Sequence, residues 1–574
     1  MNKNLILILI SIFFTTALLA QVESERDTLN TGEINVVKPY IPKISDAFKI
    51  KENPTLDNQN IKKDSVSYTI NSVPAASTFT PAKGKAQGLV KEKIDKIYEN
   101  YVSAGFGNNT TPFLEAHLHS SSTRTNDFGV FLRHLSSKGN IKDVQLDNNF
   151  SDTSLDFYYK QFDRDYNWEI NAGLKHQIYN WYGLPKSVTH SESFLNSIDE
   201  KQKYFNIFAG GKLHFEDGIF KGGKVELNQI SDNYNSNEIH LLIQPKVELP
   251  ISSELINTTA TIEFLSGKFN QNYIDINNIN HNFLKLGISP NFKVLRDDLT
   301  VNLGANIYYS FDFENSVNKF FAYPNVTASY KISEETLIAY AGITGDLKMN
   351  SFREFAEENP FISPTLLVQQ TDNQYNGFVG AKGKLSSNVS YNFKANFRNE
   401  KNKPLFTQNN SKTDGNTAVT NGYEAGNSFN VIYDNVKTLA ISGELNIDVS
   451  KEFKFGGTVE FNNYTATTQD EAWNLPTVKS ALYADYHNNS WYGGANLYFV
   501  GKRYDFSTPF AGLGEKVTLD SYVDLNLKGG YVFTDRLTAF AKANNVLSTN
   551  YERFTNFDAQ GIQVLLGITY KFDF

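Results

Sequence analysis

The sequence contains no cysteine in 574 residues, so neither a disulfide nor a cysteine-based metal site can form. The same absence removes the residue that a lipoprotein anchor requires after a signal peptide. An oxidising compartment suits such a chain, although it is not demanded. Long apolar runs are missing beyond Ala20, which excludes a bundle of membrane-spanning helices, each needing roughly 20 apolar residues. A basic surplus is missing too. The 54 Lys and Arg against 62 Asp and Glu leave a net charge of −8, without the electrostatic footprint of a nucleic-acid binder. No Ser/His/Asp grouping, glycine-rich phosphate loop or paired-carboxylate site stands out, so neither catalysis nor a cofactor is expected.

Aromatic residues, by contrast, are abundant. The chain carries 31 Tyr and 44 Phe, yet its mean hydropathy is −0.39. A β-barrel in a membrane reconciles the two, because its apolar surface is hidden in alternation and its aromatics gather at both interfaces.

The first 20 residues stand apart. Met1-Asn2-Lys3-Asn4 is followed by an uncharged apolar run ending in Leu18-Leu19-Ala20-Gln21. A basic head, an apolar middle and a small residue at the end predict a secretory signal peptide over 1–20, despite Leu18 at a position where a small residue is usual. Residues 21–97 are polar and interrupted by Pro39, Pro42, Pro54, Pro74 and Pro81. They read as a mostly irregular periplasmic N-terminal extension, weakly helical only over 91–98.

From Tyr98 the hydrophobic period becomes two. Ile562, Val564, Leu566, Ile568, Tyr570, Phe572 and Phe574 share one face, while Gln563, Gly567, Thr569, Lys571 and Asp573 share the other, with Leu565 out of place. The pattern recurs in Val523, Leu525, Leu527, Gly529, Tyr531 and Phe533, and in Ile239, Leu241, Ile243, Val247 and Leu249. Such alternation gives one apolar and one polar face. Tight turns at 216–218, 252–253, 296–298, 333–335, 386–388, 450–452, 487–489 and 534–536 take turns with long polar connections, among them 179–200, 349–371, 400–426, 505–519 and 548–560. A sandwich has no reason to sort its connections this way, whereas outer-membrane barrels put short turns in the periplasm and long loops outside. Counting back from Phe574 gives strands at 562–574, 537–547, 521–533, 490–504, 476–487, 453–466 and 427–449. Continuing to Tyr98 yields an all-β fold, a transmembrane antiparallel barrel of about 22 strands over 98–574.

Several stretches resemble the TonB-dependent receptors, the 22-stranded uptake barrels of outer membranes. Tyr433-Asp434-Asn435-Val436-Lys437 with Gly443-Glu444-Leu445 is similar to one of that family's strands. Phe499-Val500-Gly501-Lys502-Arg503-Tyr504, Ser521-Tyr522-Val523-Asp524-Leu525, Asn545-Val546-Leu547 with Tyr551, and Gly567-Ile568-Thr569-Tyr570-Lys571-Phe572 resemble those that follow. The terminal aromatic Phe574 fits the signal read by the barrel-insertion machinery. The resemblance implies transport, outer-membrane lipid as surroundings, and the TonB energy transducer or another envelope protein as partner. The family's plug domain exceeds a hundred residues, however, and residues 21–97 offer neither that length nor its alternation of strands and helices. A plug-less barrel implies instead a scaffold or docking partner for other envelope proteins.

Three short motifs carry two readings each. Glu33, Ile34, Asn35, Val36 and Val37 resemble a TonB box, although strand addition needs only an exposed β-prone segment and an ordinary extended stretch is favoured. His117 and His119 share a strand face with Glu115, a spacing compatible with metal ligation and equally with solvated lumenal side chains; no metal site is expected. Asn180-Trp181-Tyr182-Gly183 could stack on a sugar, but Trp and Tyr at a strand end more often anchor it at the membrane interface.

Overall fold

A computed structural model describes residues 97–573 apart from 124, 187, 252–253 and 508–513. The expected signal peptide and nearly all of the expected extension therefore lie outside the described residues. Twenty-two strands form one sheet, and the sheet closes because its first strand, Asn100–Gly107, pairs antiparallel with its last, Gln563–Phe572. The closing register sets Asn100 opposite Phe572 and Gly107 opposite Leu565. Every other wall pairing joins strands consecutive in the wall. Two small hairpins stand apart from it in the connections, Arg503–Ser507 with Glu515–Leu519 and Glu552–Phe554 with Phe557–Asp558.

The expected strands are recovered to within a few residues. Segments 562–574, 476–487 and 427–449 become Gln563–Phe572, Val478–His487 and Phe429–Asp448. An even strand number brings both ends of the wall to one side, so the short turns share that side. Gly218 takes φ +91 in one of them, a conformation that side chains with a Cβ resist. The long connections 181–200, 350–369, 409–428, 501–521 and 545–562 all emerge at the opposite end.

Period-two patterning sorts the side chains as the pleat requires. On the closing strand Leu566, Ile568 and Tyr570 are 61, 56 and 45 % exposed on the outer surface. On the inner face Ser103 and Thr569 hydrogen-bond at 2.8 Å. The wall thus has an apolar exterior and a largely polar lumen, and the main buried apolar cluster joins inward residues at the outer ends of strands, such as Tyr204, Leu265 and Phe269, to residues of the long connections.

Replacing Leu566 with Arg should impair assembly, because a charge on the lipid face costs about 2–4 kcal/mol at the bilayer midplane. Lys571→Arg, on the lumenal face, should be nearly silent. The comparison is read as the yield of barrel that migrates faster unboiled than boiled, and equal tolerance at both positions would contradict the face assignment.

Candidate functional site

Four of the long connections, 181–200, 350–369, 409–428 and 545–562, fold back over the mouth of the barrel and share one core. The connection 350–369 supplies its centre. Ser351 caps a short helix, Phe352–Glu358, by accepting the Glu354 N–H on its hydroxyl at 3.2 Å. Phe352, Phe355 and Ala356, spaced i, i+3, i+4, form the buried face of that helix. Beyond it Phe361 and Ile362 run alongside Phe429, whose N–H donates to the Phe361 carbonyl at 3.0 Å while its own carbonyl accepts from Ser363 N at 2.9 Å. This is a parallel bridge between the connection and the outer end of the wall strand Phe429–Asp448.

Other connections close on that centre. Trp181, with no exposed surface, donates from Nε1 to the Phe361 carbonyl at 3.1 Å. The Tyr204 hydroxyl donates to the Pro360 carbonyl at 2.9 Å. Phe557 stacks on Phe361 with ring centroids 4.0 Å apart, and Tyr182 packs on Phe557 at 4.9 Å. Asn427 donates to the carbonyls of Trp181 and Gly422 at 2.7 and 2.8 Å, tying 409–428 to 181–200. Asn180-Trp181-Tyr182-Gly183 is therefore neither an interfacial anchor nor an exposed stacking platform. The chain turns inward at the end of Tyr166–Asn180, and its aromatics enter the core of this cap. Alternation could not reveal that, since the inward turn depends on residues from distant connections.

Buried polar groups fix the cap to the wall. Glu238, 2 % exposed, accepts the N–H of Phe352 at 2.8 Å and lies 2.9 Å from His281 Nε2, which is equally buried. Lys285 Nζ donates to the Leu347 carbonyl at 2.7 Å and pairs with Glu263 at 2.5 Å, and Glu263 also meets His240 Nε2 at 2.8 Å. His240, Glu263 and Lys285, with Tyr308, Asp346 and Arg353, border a cavity of about 320 Å³ in the lumen beneath the helix. The arrangement can bind polar groups. It holds no nucleophile–base pair, and among the described residues no group of His, Cys, Asp or Glu is placed to hold a metal ion.

The remaining motifs fall elsewhere. Glu33, Ile34, Asn35, Val36 and Val37 lie outside the described residues. His117 and His119 do share the lumenal face, near the turn end. There His119 Nε2 lies 2.6 Å from Asp127 and Tyr101 donates to Glu115 at 2.7 Å, while His117 packs between the rings of Tyr101 and Tyr158.

Asp505, on the hairpin Arg503–Ser507, is fully buried; burial pushes its carboxyl up from 3.8 to about 6, although Thr555 Oγ1 at 2.6 Å and Phe506 N at 2.8 Å donate to it. A raised carboxyl means that the folded cap holds a proton which the unfolded chain has released between pH 4 and 6, so stability falls as pH rises through that window. Hydrogen-exchange protection of 545–562 should accordingly decline from pH 4 to 6 and then level off, while Asp505→Asn removes this component. An unchanged slope in the variant would contradict the assignment.

Solved structures share this wall. The pyoverdine outer membrane receptor of Pseudomonas aeruginosa PAO1, bound to pyoverdine, superposes with a TM-score of 0.60 at 14 % identity, over 84 % of this chain and 79 % of that one. A mutant ferric enterobactin receptor from Pseudomonas aeruginosa gives 0.58 at 11 % identity over 83 % and 81 %. The ferric-catecholate import receptor of Escherichia coli K12 gives 0.57 at 11 % identity over 83 % and 82 %. No curated protein matches the sequence. The family model described as TonB dependent receptor-like, beta-barrel matches residues 98–546, and with it the chain belongs to that family, whose members reside in the outer membrane.

Proposed function

We propose that this barrel takes part in transport across the outer membrane, as a receptor whose outer mouth is closed by its own loops. The observation that carries the reading is the folded cap over the barrel mouth, with hydrogen-bonding side chains lining a cavity beneath it. The cargo is a small nutrient or chelate, the class to which the ferric enterobactin and pyoverdine of the similar receptors belong. Residues 21–97 follow the signal peptide as a periplasmic extension, and in this reading Glu33–Val37, which resembles a TonB box, is the segment that Ile34→Pro tests as the strand offered to the energy transducer.

A second reading is favoured by one feature. The cap is interlocked by buried aromatics from four connections, which suits a permanently closed barrel that docks another envelope protein.

One measurement tests the occlusion common to both readings, and a second separates them. In planar bilayers the full-length chain should be nearly silent, and replacing 352–366 with a short Gly-Ser linker should open a large, steady conductance. A wild-type protein that conducts as freely as the variant removes the occlusion on which both readings rest. Cells lacking the protein should then grow poorly when one nutrient or chelate is limiting, and Ile34→Pro should reproduce that defect at unchanged barrel abundance. Normal growth on every such medium, with loss of a co-purifying protein when 22–90 is deleted, would replace transport with docking.

A further inference from the structure

The cap helix Phe352–Glu358 meets the wall at a single carboxylate. Glu238, 2 % exposed, accepts the N–H of Phe352 at 2.8 Å and that of Arg353 at 3.4 Å. Its third partner, His281 Nε2 at 2.9 Å, does not stand on an adjacent strand. Register puts Glu238 level with Gly267, and Gly267 level with His281, so the two side chains reach each other across a whole strand. Only a glycine leaves that crossing open, since a Cβ at 267 would lie 2.2 Å from His281 Nε2.

The bridge is shut off from the lumen. One row below it, on the same three strands, stand His240, Leu265 and Phe283, the last two 0 and 5 % exposed. Phe269 packs on the imidazole with ring centroids 5.7 Å apart. Charged groups on the surrounding elements are engaged elsewhere. Arg353 pairs with Glu357 at 3.0 Å, Glu354 with Lys348 at 3.2 Å, and His240 with Glu263 at 2.8 Å. Asp232 accepts from the N–H groups of Tyr234 and Ser236, and Asp312 accepts from Asn315. The hydroxyls of Tyr204 and Tyr433 donate to the carbonyls of Pro360 and Leu367 at 2.9 and 3.0 Å.

His281 Nδ1 is buried and has no hydrogen-bond partner among the described residues. An ionised Glu238 can only accept, so Nε2 carries a proton and Nδ1 is where the pair can take another without breaking a bond. Protons then act on the bridge in two steps of opposite sense. The first, taken at Nδ1, turns a hydrogen bond into an ion pair in a water-poor site and strengthens it. The second, taken by the carboxyl, leaves an imidazolium buried without a counter-charge and deprives the helix N–H groups of their charged acceptor. The helix is therefore seated most firmly after the first proton and loosened by the next.

We propose that Glu238 and His281, joined across Gly267, form a proton-sensitive latch that seats the cap helix on the wall and loosens it in acid. The imidazolium delays the loosening, because its charge opposes proton uptake by the carboxyl. The latch belongs to the cap itself and holds whichever role the barrel serves.

The test follows hydrogen exchange of 352–358 in the full-length protein, corrected for intrinsic rates, as the pH is lowered from neutral. Asp505→Asn serves as the parent protein, since Asp505 moves cap stability in the opposite direction in acid. Protection in the parent should fall by about 10- to 100-fold towards acid, as expected when a buried N–H loses its acceptor. Adding Glu238→Gln should give the low protection at every pH. His281→Gln and Gly267→Ala should each move the acid loss to higher pH, in protein that still migrates faster unboiled than boiled. The glycine variant removes the bridge while leaving every ionisable group in place, so a merely structural histidine would not produce that shift. A flat profile in the parent, or an acid loss at the parent's pH in either folded bridge variant, would overturn the inference.

Discussion

Backbone amides and carbonyls have no water to turn to in hydrocarbon, so a spanning sheet must leave no strand without a partner on either side. In this chain the requirement comes to rest on the pairing of Asn100–Gly107 with Gln563–Phe572. That pairing sets the parity of the wall, and the parity sends every long connection to one end. Only because they are gathered there can 181–200, 350–369, 409–428 and 545–562 find one another and share a core. The cap is thus a consequence of how the wall closes, although no residue of the closing strands takes part in its core.

Two kinds of interaction hold the cap, and their magnitudes assign them different roles. Burying one large apolar side chain contributes roughly 1.5–3 kcal/mol, so exposing Trp181, Phe361, Phe429 and Phe557 together would cost on the order of 6–12 kcal/mol. The buried polar groups contribute less net stability, since Glu238 and His281 must first be desolvated. What they add is orientation. A carboxylate that accepts the Phe352 N–H fixes where the helix meets the wall, and without it that N–H would be left unpaired at about 1–3 kcal/mol. Aromatic burial decides that the cap is folded; the polar anchors decide how it sits.

Much of this was legible in the sequence, for physical reasons. Alternation in 562–574 reports a surface that meets two different media, and those media act on each residue independently of its distant neighbours. Turn residues such as Glu216-Asp217-Gly218 are equally local, and the strands between them were recovered to within a few residues. The cap was not legible. Phe361 and Phe557 lie in stretches without periodicity, and what buries them is contact between connections nearly 200 positions apart in the chain. Trp181 shows the limit most sharply. At a strand end it satisfies the rule for an interfacial anchor, yet a single inward turn puts it at the centre of a core. The rule fails there because aromatic residues serve both environments equally well, and only tertiary partners distinguish them.

The way the connections are tethered constrains how such a mouth could open. The connection 350–369 leaves the wall at Met349 and returns at Gln370, and those two residues are direct partners in the sheet. Its two ends are therefore side by side, which would suit a flap swinging about a narrow base. Its contents argue otherwise. Phe361 is stacked on Phe557 from one connection, Ile362 runs beside Phe429 at the root of another, and its backbone carbonyls are used by Trp181 and Tyr204. None of these contacts is internal to the loop, so it cannot swing out and keep its own core. Each neighbour would lose the same surface at the same moment. Closure is consequently cooperative: the connections move together, under work supplied from outside the cap, or they stay in place.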